Sequence, residues 1–240
     1  MSGLRLQVGA DAARSSTPAG RRERMTVGSA LRKALGDFYE HSWRLVLLNS
    51  LLSVFALAFL AATQYLALPV ALVLLAVALG PPALALVHCA VTVVQTGDLE
   101  LADFGRGLRL HWRRGLALGA LAAASIVLTA IAVGFYAGRA PSAWPLAFVV
   151  LYLAGLLGVF QLPLWPLAVV DRELPLRAVF RAAALAAARR PSASVGLGVS
   201  LLLVNVLGAA AAVLPFLTMT VAYSCLAAAR FFVSNPTTED

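Results

Sequence analysis

Charged side chains are absent from four long stretches of this 240-residue chain. The stretches without Asp, Glu, Lys or Arg are residues 45–97, 115–138, 140–170 and 191–229. An α helix needs about 20 apolar residues, each rising about 1.5 Å, to cross the hydrocarbon core of a bilayer. All four stretches reach that length, and the first and the last are long enough for two crossings. The sequence therefore predicts an all-α protein, a polytopic bundle of transmembrane helices.

Prolines and polar residues divide these stretches into about six predicted spans. The spans cover approximately residues 45–62, 70–95, 116–136, 145–170, 195–213 and 216–233. Gly80-Pro81-Pro82 lies in the second span, and Pro163 and Pro166 lie in the fourth. We expect the first site to kink or break its helix and the second to kink its helix, because proline removes a backbone donor and crowds the preceding turn. Two alternatives stay open for residues 191–229, which form either two spans or one long tilted span.

Two arginine-rich segments between the spans are predicted to be amphipathic helices on the membrane surface. The first is Asp98–Arg114, which places apolar and basic residues on different faces at helical spacing. The second runs from Pro175, in its first turn, to Arg190. Basic side chains on such helices are attracted to anionic lipid. The residues predicted to make this contact are Arg106, Arg109, Arg113, Arg114, Arg177, Arg181, Arg189 and Arg190.

A single transmembrane domain, residues 29–233, is predicted between two tails. Residues 1–28 mix arginine with Ser, Thr, Pro and Gly and contain no apolar core before a cleavage site, so we expect a disordered tail and no signal peptide. Residues 234–240 form a short C-terminal tail. With six spans, one side of the membrane holds every basic residue except Arg139. The positive-inside rule makes that side, which holds both tails, the cytoplasm.

The formal net charge of +8 does not indicate a nucleic-acid partner. The basic residues flank apolar spans, which is the pattern that sets membrane topology. Hydrophobic residues make up 61% of the chain and charged residues 12%, whereas charged residues make up about a quarter of a typical soluble domain. Cys89 and Cys225 lie within apolar runs, where buried free thiols that behave as small hydrophobes are the favoured interpretation.

Catalytic chemistry is not predicted, because the spans contain no Asp, Glu, Lys or Arg. The same lack argues against a proton- or ion-coupled carrier, which usually keeps a carboxylate within the membrane. No nucleotide-binding, hydrolase or zinc-protease motif is present. Asp37, Glu40 and His41 match no metal-binding motif, and a solvated helix face is favoured there. We therefore expect no enzyme activity, no cofactor and no metal.

Five polar residues within or at the ends of spans are candidates for an intramembrane site. They are Asn49, His88, Gln95, Gln161 and Asn205. Such groups either hydrogen-bond helices to one another, for about 0.6–2 kcal/mol each, or line a site for a polar solute. A stripe of small residues, Gly115, Gly119 and Ala123, would allow another helix to approach the third span closely.

The order of several short motifs resembles the YesL-like family of bacterial membrane proteins, a domain class of unknown function. The matching motifs are Asn49 within Leu47–Leu52, Gly80-Pro81 before Ala83–Leu86, and Asp103-Phe104 with Gly107, Leu108 and Trp112–Arg114. Leu79 departs from the pattern, which has a polar residue near the Gly-Pro. The resemblance implies a small protein of the bacterial plasma membrane with a role associated with carbohydrate transport, and it supplies no catalytic residue.

Two functional hypotheses follow. The first is a non-enzymatic accessory protein that packs against transporter subunits, or against its own copies, through its spans. The second is a facilitator or channel for a small neutral solute, which requires the five polar residues to meet in one cavity. A membrane enzyme ranks last, because the spans lack acids.

Overall fold

The computed structural model describes residues 26–64, 66–139, 141–211 and 219–233. Within these ranges the chain forms eight α helices, a short 3₁₀ helix at Pro141–Ala143 and no strand. The helices are α1 Val27–Glu40, α2 Ser42–Ala62, α3 Leu68–Thr96, α4 Leu101–Ala137, α5 Trp144–Val170, α6 Leu176–Arg189, α7 Pro191–Ala211 and α8 Val221–Val233.

Five of these helices, α2, α3, α4, α5 and α7, are long and apolar enough to cross a membrane. The apolar helix α8 has 13 residues and spans about 20 Å at 1.5 Å per residue. The structure thereby confirms the predicted all-α polytopic bundle of about six spans. The predicted beginning of the sixth span, at residue 216, lies outside the described residues.

Helix α3 continues through Pro81 and Pro82, and α5 continues through Pro163 and Pro166. The helix is therefore not broken at either site. Proline at position 81 cannot donate to the carbonyl of Val77, four residues earlier. The backbone of α4 packs against this carbonyl at Gly119. A Cβ atom added to Gly119 would lie only 3.0 Å from the Val77 oxygen. Close packing by a neighbouring helix is how a span tolerates internal proline.

Helix α4 is a single helix of 37 residues, Leu101–Ala137. The separate surface helix predicted for 98–114 and the third span predicted from 116 are in fact one continuous element. No proline interrupts residues 101–137, and a capping box between Glu100 and Asp103 fixes where the helix begins. Gly97, in the left-handed conformation with φ 76°, ends α3 three residues before that box.

Helix α1 begins at Val27, two residues inside the predicted N-terminal tail. Thr26 caps it through a reciprocal pair of hydrogen bonds with Ser29. The remainder of that tail, and the whole predicted tail 234–240, lie outside the described residues. The bounds of α6 match those predicted for the second amphipathic helix, and α7 begins directly at Pro191, four residues before the predicted fifth span.

The core forms where α3 and α4 pack against one another and where α8 packs against α1, α3 and α5. Leu84, Leu164 and Leu226, from α3, α5 and α8, are fully buried in one cluster. Two polar contacts attach α1 to α8: Tyr223 Oη donates to the Leu31 carbonyl at 3.2 Å, and Arg230 pairs with Asp37. The short apolar helix α8 therefore holds the N-terminal helix against the bundle.

A second arginine fixes the beginning of α2 to the turn between α3 and α4. The Arg44 guanidinium donates to Asp98 Oδ1 at 3.0 Å and also to the Leu99 carbonyl. The Leu99 backbone N–H donates to the same carboxylate at 2.7 Å. This N–H and the Arg44 charge hold the pKa of Asp98 below its usual value. Asp98 is therefore ionised at neutral pH and keeps its contact with Arg44.

Candidate functional site

A cavity of about 860 Å³ lies between α5 and α7, with residues of α3 and α8 completing its wall. Leu201 is buried in this wall, whereas Tyr152 and Leu202 are 72% and 63% exposed. The cavity therefore opens sideways, between the two spanning helices. Its lining is mainly apolar, with Leu86 and Val87 from α3 beside the side chains of α5 and α7.

Gln161 and Asn205, two of the five predicted polar residues, line this cavity, together with Ser224. Asn205 Nδ2 donates to the Leu201 carbonyl at 2.7 Å and to Ser224 Oγ at 2.9 Å. Ser224 Oγ in turn donates to the Thr220 carbonyl at 2.7 Å. Asn205 thus links α7 to α8 while it contributes to the cavity wall.

The other three predicted polar residues lie elsewhere. Asn49 is 0% exposed, in the part of α2 that packs into the core. Gln95 is exposed in the last turn of α3. His88 lies on the face of α3 that meets α4. The structure therefore brings two of the five residues together.

The half-buried ring of His88 lies against the buried ring of His111 in α4, a residue that the sequence patterns did not single out. The centroids of the two rings are 5.3 Å apart, at an interplanar angle of 49°. Gly107 provides the space, since a Cβ there would stand 2.8 Å from His88 Cδ2. Both Nδ1 atoms are buried without a hydrogen-bond partner among the described residues. The ring neighbour of His88 is therefore a second imidazole.

Every fourth residue along α4 from Asp103 to Ala123 lies on one packed face of the helix. This spacing could have predicted that His111 is buried. The buried members of this stripe are Asp103, Gly107, His111, Gly115, Gly119 and Ala123. The predicted close approach at this stripe is confirmed, because a Cβ on Gly115 would stand 2.5 Å from the Pro81 Cα. Small residues at helical spacing allow the two backbones to meet. The stripe belongs to the contact between α3 and α4 and leaves no space for a ligand there.

Most of the predicted surface arginines are exposed, and two are half-buried. The exposed ones are Arg106, Arg109, Arg113, Arg177, Arg181 and Arg189. Arg106 pairs with the buried carboxylate of Asp103. Arg190 is half-buried, and so is Arg114, which points inward: its guanidinium donates to the carbonyls of Ala168 and Asp171 at 2.8 and 2.9 Å. Arg114 therefore stabilises the end of α5, a role that its place in a basic segment did not indicate.

A second cavity, of about 570 Å³, lies between α5, α6 and the first turn of α7. It shares Leu156, Val159 and Val195 with the larger cavity. Its other lining residues are apolar except for Ser194. In the part of the chain that the structure describes, no group of three or more His, Cys, Asp or Glu side chains is placed to hold a metal ion.

No family model, curated protein or solved structure matches this chain. The chemistry of the two cavities therefore follows from the side chains that line them. What they show is an integral membrane protein with a side-opening apolar cavity that carries a pair of amides.

Proposed function

We propose that this chain is a non-enzymatic accessory protein of the bacterial plasma membrane that binds membrane-embedded transporter subunits. The solute class suggested by the YesL-like resemblance is carbohydrate. The positive-inside rule supports a topology with both termini in the cytoplasm. The observation that carries the proposal is the cavity that opens sideways between α5 and α7.

Two glycines make the rim of this cavity suitable for a helix of another protein. Gly155 and Gly158 are exposed, and nothing lies within 4 Å of the position that a Cβ would take on either. Gly115 and Gly119, in contrast, are already used for contact within the chain. Exposed small residues allow a second transmembrane helix to approach closely. An apolar cavity beside them gives such a helix room for its larger side chains.

Copurification from native membranes tests this proposal. A tag on the C-terminus and mild detergent are expected to recover transporter subunits, identified by mass spectrometry. The double substitution G155L/G158L is expected to reduce their recovery at least about tenfold, because leucine side chains would hold a partner helix away from α5.

Gly134 provides the matched control. It is an exposed glycine of the spanning helix α4, and nothing lies within 4 Å of its Cβ position either. G134L is expected to recover partners as the unsubstituted chain does. Recovery of no transporter subunit, or equal recovery with G155L/G158L, would contradict the proposal. If only further copies of this chain were recovered, the partner would be a second copy of the chain and not a transporter subunit.

A second candidate function, passage of a small neutral solute, is favoured by the convergence of Gln161 and Asn205 on one cavity. Liposomes that contain the protein would then release a sugar or small polyol faster than empty liposomes. The substitutions Q161L and N205L would slow that release, because each removes an amide from the cavity wall. Equal release from protein-containing and empty liposomes would exclude this candidate.

A further inference from the structure

We propose that an anionic phospholipid binds at the junction of α6 and α7. Its phosphate would contact Arg189 and Arg190, its glycerol ester would lie beside Ser194, and one acyl chain would fill the 570 Å³ cavity. This inference goes beyond the proposed function, because it needs no protein partner.

The cavity has the lining that an acyl chain requires. Helix α5 contributes Leu153, Leu156, Leu157, Val159 and Phe160, and α6 contributes Ala184, Ala187 and Ala188. Small alanine side chains on one wall and large apolar side chains on the other leave a groove whose sole polar lining residue is Ser194. Filling this groove with hydrocarbon buries apolar surface without stranding a polar group of the ligand.

Ser194 supplies an observation that points to a polar atom of the ligand. Its side chain is 0% exposed, and among the described residues its Oγ has no hydrogen-bond partner. A buried hydroxyl without a partner costs free energy, so such groups usually find an acceptor. A glycerol ester carbonyl is such an acceptor, at the depth in a bilayer where hydrocarbon meets the headgroups.

Two arginines immediately precede the helix that carries this hydroxyl. Arg189 ends α6, Arg190 follows it, and Pro191 begins α7. The first turn of an α helix presents backbone N–H groups without intrahelical acceptors, which favours bound phosphate. The sequence contains no acidic residue from 174 to 233, and the nearest, Glu173, lies at the far end of α6. An anion at Arg189 and Arg190 therefore meets little opposing charge along α6 and α7.

The order of these features identifies the occupant as a phospholipid. Cationic side chains come first, a hydroxyl donor follows one turn into α7, and an apolar cavity lies beside it. A phospholipid presents phosphate, ester and hydrocarbon in the same order. A partner helix would leave the two arginines without a counter-charge, and a soluble anion would leave the cavity unfilled.

Native mass spectrometry of the full chain in detergent tests the headgroup contact, with phosphatidylglycerol and phosphatidylcholine of identical acyl chains as probes. Phosphatidylglycerol is expected to bind with at least about tenfold higher affinity. The variant R189Q/R190Q is expected to lose most of this preference. R32Q/K33Q removes two positive charges from exposed positions on α1 and is expected to change this preference by less than about twofold.

Ester- and ether-linked phosphatidylglycerol test the contact with Ser194. The ether lipid lacks the carbonyl acceptor, so the unsubstituted chain is expected to bind it several times more weakly. S194A is expected to bind both lipids equally. A188L places a larger side chain in the cavity wall and is expected to weaken the binding of both lipids to the same extent.

Three results would overturn the assignment: equal binding of phosphatidylglycerol and phosphatidylcholine, equal losses in R189Q/R190Q and R32Q/K33Q, or full binding by A188L. Unchanged gel-filtration and circular-dichroism profiles establish that each variant is folded. These results do not depend on whether transporter subunits copurify, so failure of this site and failure of the proposed function are distinguishable.

Discussion

Replacing Gly115 by alanine is expected to lower the free energy of unfolding by about 3 kcal/mol, because it overpacks the close contact between α3 and α4. The added Cβ would stand 2.5 Å from the Pro81 Cα and 2.8 Å from the Pro81 nitrogen. Both are backbone atoms, so no flexible side chain can move aside. Helices α3 and α4 would have to separate, and the contact between them is the most extensive in the described fold. Equilibrium unfolding of the purified protein in mixed micelles measures the change.

Gly105, on the same helix, supplies a control with the opposite expected sign. It is exposed, and nothing lies within 4 Å of its Cβ position. Alanine there is expected to stabilise the protein by about 0.5–1 kcal/mol, since glycine within a helix costs that much relative to alanine. If G115A and G105A changed the unfolding free energy alike, the contact between α3 and α4 would not be as close as described.

Removing the guanidinium of Arg114 is expected to destabilise the protein by about 3 kcal/mol, through loss of charge-assisted hydrogen bonds. This group donates to four carbonyls at the end of α5 and in the turn that follows, those of Ala168, Asp171, Arg172 and Leu174. The last carbonyls of a helix have no partner within the helix. R114Q would remove this donor from the carbonyls of Ala168 and Asp171, whose bonds to Arg114 are partly buried.

R109Q is the matched control for R114Q. Arg109 is exposed on the same helix, and surface substitutions usually change stability by less than about 0.5 kcal/mol. R114K is expected to fall between the two, because lysine keeps the charge but cannot reach several carbonyls with a rigid planar fork. Unfolding curves in one detergent compare the three variants. Equal stability of R114Q and R109Q would show that the four hydrogen bonds contribute nothing.

The positions of most helices could be predicted from the sequence, because the gaps between charged residues mark them. Residues 45–62 were predicted as a span and form most of α2, and 145–170 nearly coincide with α5. These boundaries depend on local composition alone. Local composition does not predict that α3 continues through Pro81 and Pro82. That outcome depends on the backbone of α4, which lies against the turn before the two prolines.

The candidate site was predicted only in part, because it too depends on how the helices pack against one another. Amides in spans are visible in a sequence, but which of them share a cavity depends on the rotation of each helix about its axis. Gln161 and Asn205 meet, whereas Asn49 faces the core. His111 was missed because the arginines around it suggested a surface helix, although the spacing from Gly107 to Gly115 places it on the packed face.

The uninterrupted course of α4 has a mechanical consequence. At 1.5 Å per residue its 37 residues measure about 55 Å, against about 30 Å for the hydrocarbon core of a bilayer. The helix is therefore much longer than the hydrocarbon core is thick, and α3 runs beside it up to the turn at Gly97. Contact at Gly80, Gly115 and Gly119 is too close to allow one helix to slide over the other. A force applied at that turn would therefore tilt both helices as one rigid lever, and the displacement would reach the opposite leaflet.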